Sequence, residues 1–101
     1  MRVIKELAAQ ITDEVDGVTE YAKAALTYKV ERPQLADVYY RLANTEYNHV
    51  TMLHDQVAKI VKEAEATQAE VPPAMRQKWD EEHKAIIAKM AEAKTYLNMY
   101  R

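Results

Sequence analysis

Proline falls at only two places between Met1 and Arg101: Pro33 in "KVERPQL" and the pair Pro72–Pro73 in "AEVPPAM". Proline has no N–H and a fixed φ, so it breaks a helix interior but suits the first turn of a new one. The chain has one glycine and three prolines in 101 residues. That is too few turn formers for a many-stranded protein, and the composition reads as all-α. The prolines then divide a single domain, 1–101, into three helices at about residues 2–30, 34–69 and 74–99. Both connections are short, so consecutive helices are expected to pack antiparallel.

Each helix projects an apolar face at about 100° per residue. The first gathers Ile4, Leu7, Ile11, Val18, Ala22 and Ala25, with Glu14 and Tyr21 flanking them on the same side. The second gathers Leu35, Tyr39, Leu42, Val50, Leu53, Val57 and Ile60, with Glu46 in the middle. The third gathers Met75, Trp79, Ile86, Met90 and Leu97, with His83 near one edge. Val38, Tyr47 and Val61 widen the second helix's face to roughly half its circumference, more than a two-helix seam needs. A chain this short buries a limited core, so a second subunit is a natural neighbour for that face. A homodimer or a larger even-numbered oligomer is expected.

Charge and cysteine content exclude several functions. The net charge is −2 with no basic run, which gives no electrostatic argument for nucleic acid. The absence of cysteine rules out disulfides and zinc–thiolate sites within the chain. No apolar run reaches membrane-spanning length, and "MRVIKELAAQITDE" interrupts its apolar residues with charges, unlike a signal peptide. A soluble, cytoplasmic protein without membrane contact is the expectation. Nucleophilic catalysis has no support, because the chain lacks serine as well as cysteine and has no glycine-rich phosphate loop.

Glu46 needs an explanation. A carboxylate on a buried stripe is costly without a cation, a hydrogen-bond donor or a metal beside it. His49 stands at i+3, on nearly the same side of the helix. Glu-x-x-His offers a carboxylate oxygen and an imidazole nitrogen to one ion, a pairing suited to Fe or Mn and tolerable for Zn. The spacing also arises by chance in helices rich in Glu, and His49 would then simply pair with Glu46 or another acid at a helix interface. Glu14 strengthens the metal reading. Folding a hairpin at residues 31–33 brings it within about a turn of the level of Glu46. Two such hairpins about a two-fold axis would assemble four Glu and two His, a di-iron carboxylate ligand set.

These residues resemble those of a known family. In "ITDEVDGVTEY", Glu14 is followed by a small residue at +3, Gly17, and a tyrosine at +7, Tyr21. This looks like the first helix of rubrerythrin-type ferritin-like proteins, and "YYRLANTEYNHVTML" looks like their second. Glu14 lies 32 residues before Glu46, a gap similar to the family's. The resemblance covers about residues 1–60. It implies a ferritin-like four-helix bundle completed by dimerisation. It also implies iron (or manganese) as cofactor, two ions per subunit pair, and oxidation of Fe(II) by dioxygen or peroxide, a ferroxidase- or peroxidase-like activity. The ligands from each chain would be Glu14, Glu46 and His49. The chain departs from the family in carrying one hairpin rather than two, in lacking the cysteines of a rubredoxin-like module, and in having Gly17 where Ala is usual. Gly17 either makes room beside the ligands or is merely tolerated.

Other residues compete for roles. Tyr21 and Tyr39 lie on the inner faces, where a tyrosine either touches a ligand or packs the core; packing is expected for Tyr39, and Tyr21 is open. Glu20 is the rival to Glu14, though it lies among Asp13, Asp16 and Lys23 on the polar side. His54 reads as an interface or surface histidine. Asp80-x-x-His83 repeats the acid-x-x-His spacing, but Asp80 points away from its helix's apolar stripe. Trp79 reads as the anchor docking the third helix. The competing overall reading is a non-catalytic helical oligomerisation or interaction protein without metal, of the short single-hairpin kind also encoded by phages and prophages. In it the Glu14–Glu46–His49 cluster would fix helix register.

Overall fold

A computed structural model describes residues 2–66 and 73–101, all but a few of them helical: α1 (Arg2–Tyr28), α2 (Pro33–Ala66) and α3 (Pro73–Tyr100). The predicted tail of the second helix, 67–69, and Pro72 lie outside the described residues, as does the side chain of Met75. Both breaks work as the sequence indicates. Pro33 and Pro73 each occupy the first position of a helix, where a missing N–H leaves no bond unmade. The Arg32 carbonyl accepts the first α2 bond from the Ala36 N–H at 2.9 Å, and the Arg32 N–H closes α1 on the Tyr28 carbonyl at 2.9 Å. The first helix thus ends two residues before its predicted limit.

The order is up, down, up. Glu14 meets His49 and Tyr21 stacks on Tyr39, so α1 and α2 are antiparallel. Asp16 pairs with Lys89 and Lys23 lies over Tyr96, so α1 and α3 are parallel. The α1 backbone approaches both neighbours, whereas α2 and α3 meet chiefly through long side chains. Tyr40–Tyr100, Tyr47–Lys94, His54–His83 and Glu65–Arg76 bridge that seam. The resulting rod measures 56 × 18 × 18 Å. Among the described residues, no helix is long and apolar enough to cross a membrane.

Seven-residue repeats organise the core. Ala8, Val15 and Ala22, with Ile11, Val18 and Ala25, line α1; Ala36, Ala43, Val50 and Val57 line α2; Ile86 and Ala93 line α3. A strict repeat of seven keeps one line of side chains on the neighbouring helix over many turns. Alanine at five of these ten buried α1 and α2 positions lets the two helices lie near one another. This moves the centre of α2's buried face from where the sequence places it. Leu35 and Leu42 are 39% and 40% exposed and Val38 is 51% exposed, so the leucine line forms the edge of the seam. Glu46 lies on that edge too. Trp79 packs against the core as the expected anchor of α3, and Met90 sits beside it, half-buried.

Candidate metal centre

The antiparallel register of α1 and α2 sets Glu14 beside Glu46, and the helical turn sets His49 beside both. The Nδ1 of His49 lies 3.3 Å from Glu14 Oε2 and 3.9 Å from Glu46 Oε1. One donor atom from each residue fits within 4.8 Å of the other two. The two carboxylates are mostly buried, and the imidazole is about half exposed, so the group opens to solvent along the α1–α2 seam.

Electrostatics make this a place that favours a cation. Burial pushes the Glu46 carboxyl above its usual range. The adjoining Glu14 adds to the shift by accepting a hydrogen bond from protonated Glu46 and by repelling its charge, while His49 opposes it. Glu14 Oε2 is buried and no group hydrogen-bonds to it. A buried carboxylate oxygen that accepts no hydrogen bond is costly, even with His49 Nδ1 3.3 Å away. A proton on Glu46 or a metal ion would each relieve it. The donor set fits a metal as well: two anionic oxygens and one imidazole nitrogen suit Fe, Mn or Zn. An ion with bonds of about 2.1 Å spans at most about 4.2 Å between two donors, so both distances from His49 lie within reach.

The other candidates fall outside this group. Glu20 is exposed on the polar side of α1. Tyr21, Tyr39 and Tyr28 stack in series with ring centroids 6.1 Å apart at each step, filling the end of the hairpin toward Pro33. Among the described residues, no hydrogen bond joins Tyr21 or Tyr39 to the triad. Gly17 does lie against the site: a Cβ there would sit 3.5 Å from Glu46 Oε2, an ordinary van der Waals contact. Alanine would therefore fit, and steric room does not require the glycine. Asp80 turns to Arg76 at 3.7 Å, and its i+3 partner His83 reaches across to His54 instead. That histidine pair was not legible from sequence, because its members are 29 residues apart on helices whose mutual register no motif sets.

No family model, curated protein or solved structure matches the chain.

Proposed function

We propose that the chain is a ferritin-like metal-binding protein in which two copies, packed through their α1–α2 hairpins, complete a dinuclear iron or manganese site. The observation that carries this reading is the convergence of Glu14, Glu46 and His49 donor atoms within 4.8 Å around a buried carboxylate oxygen that accepts no hydrogen bond. The exposed apolar edge beside the triad supports the second copy. Leu35, Val38 and Leu42 lead along α2 to Glu46, and Val3 and Tyr28 are exposed on α1. Covering that edge would bury apolar surface and bring a second Glu–Glu–His set to the first. Glu14 and Glu46 would hold and neutralise the ions, and His49 would add the nitrogen donor from the open side. When bound, such an iron pair supplies oxidation of Fe(II) by dioxygen or peroxide. A soluble, cytoplasmic setting fits this reading.

Sedimentation velocity of the apo and Mn(II)-loaded chain tests it, with Leu42→Glu as the variant. The expected result is a dimer that metal strengthens, and a helical monomer with weakened Mn(II) binding in Leu42→Glu. Tight binding by the monomeric variant would overturn the shared site.

A second reading has its own observation. Glu46 is held toward its protonated form beside Glu14. A proton between two carboxylates closes the cluster without metal, as in a helical oligomerisation protein that uses buried polar groups to fix register. On that reading Mn(II) or Fe(II) adds no thermal stability, and Glu46→Leu is stabilising.

A further inference from the structure

A second cluster of metal-binding side chains lies on the other flank of α2. His54 stands five residues beyond His49, about 140° further around the helix and about 7.5 Å along it. It therefore faces α3, away from the open side of the triad. Its Nε2 lies 2.8 Å from the Nε2 of His83, with the two rings roughly parallel and their centroids 5.0 Å apart. The Trp79 ring lies roughly parallel to that of His83, with centroids 5.3 Å apart. Two imidazoles so placed hold one proton between them, one nitrogen donating and the other accepting.

We propose that His54 and His83 form a second, independent metal site for a borderline divalent ion such as Cu(II), Ni(II) or Zn(II), which ties α3 to α2. The ion replaces the shared proton and takes both Nε2 lone pairs. An all-nitrogen pair favours these ions over Fe(II) and Mn(II), following ligand type and the order of divalent affinities. Two nitrogens bound tetrahedrally at about 2.0–2.1 Å stand about 3.3–3.4 Å apart, so the nearly in-line pair must open by about half an ångström and the two rings must tilt until their lone pairs converge on the ion. The seam permits that, because α2 and α3 meet through long side chains rather than close backbone packing. Water completes the coordination: among the described residues, the only group of three or more acidic, histidine or cysteine side chains close enough to share an ion is the Glu14–Glu46–His49 triad. This proposal stands whether or not that triad binds metal.

Trp79 is the chain's single tryptophan, which makes it a built-in reporter. Cu(II) is titrated into the full chain while Trp79 fluorescence is followed, in the wild type, His49→Ala, His54→Asn and His83→Asn. The expected result is saturable quenching that survives in His49→Ala, with affinity falling about tenfold or more in each of the other two variants on loss of one of two protein ligands. Quenching that is lost in His49→Ala, or unchanged in both His54→Asn and His83→Asn, overturns the site and leaves the pair as a hydrogen bond only. If either asparagine variant loses helicity, imidazole nitrogen NMR of the wild type with Zn(II) decides. Shifts at Nε2 of His54 and His83 support the site, and shifts confined to His49 refute it.

Discussion

Replacing Glu46 by Gln should change stability in opposite directions with and without metal. In the metal-free protein the substitution removes a carboxylate whose ionisation is opposed by burial and by Glu14. It also supplies an amide N–H that can donate to the Glu14 carboxylate, whose Oε2 accepts no hydrogen bond. A new hydrogen bond to a charged acceptor contributes about 1.5–3 kcal/mol, and partial exposure of the site reduces this to about 1 kcal/mol. In a domain of this size that corresponds to a Tm rise of about 4–8 °C. With Mn(II) at about 100 times its dissociation constant, the wild type gains about 2.7 kcal/mol and overtakes the variant, which binds poorly. The pH dependence follows the same logic. Glu46 is raised above its ordinary value of 4.5 in the folded state, so its contribution to metal-free stability is full below that value and is lost as pH rises through the folded pKa. Glu46→Gln lacks that loss. Bound metal reverses the slope, because it requires the ionised carboxylate. Paired thermal melts with chelator and with Mn(II), across pH 4–8, provide the assay. A Glu46→Gln variant less stable than the wild type in chelator would refute the claim that Glu46 is strained without a cation.

Gly17→Ala should raise stability by about 0.5–1 kcal/mol and leave Mn(II) affinity unchanged, since a helix-interior glycine is unfavourable and the added methyl makes an ordinary contact with Glu46; urea melts and a metal titration check both parts. Ile86→Ala, which empties a fully buried position of α3, should cost about 2–5 kcal/mol in denaturant unfolding while the metal-induced Tm shift persists, because the triad lies on α1 and α2. Glu20→Gln should change stability by no more than about 0.5 kcal/mol and leave Mn(II) binding intact; a large loss of binding would make Glu20 rather than Glu14 the α1 ligand.

The three helices were legible because proline marks the starts of α2 and α3, and the triad because an antiparallel hairpin turning at residues 31–33 brings Glu14, on the apolar side of α1, near the level of Glu46. The centre of α2's buried face was less legible. Hydrophobicity weights leucine above alanine, so the reading settled on Leu35 and Leu42. Closest approach of two helices selects small side chains, and Ala36 and Ala43 took the buried line there, in register with the expected Val50 and Val57. Glu46 consequently belongs to the edge of the seam, where a carboxylate is partly hydrated and reachable by an ion. The α2–α3 register depends on a connection that carries no pairing motif, so nothing in the sequence brings His54 and His83 together.

The central claim is that Glu14, Glu46 and His49 hold metal. Elemental analysis of the chain purified without a metal-affinity tag tests it most directly, with Glu14→Ala, Glu46→Ala and His49→Ala prepared in parallel. About one iron or manganese ion per wild-type chain is expected, as four Glu and two His share two ions, with loss of that metal in each variant. A folded wild-type protein that contains neither metal and takes up neither on exposure to Fe(II) or Mn(II) would contradict it.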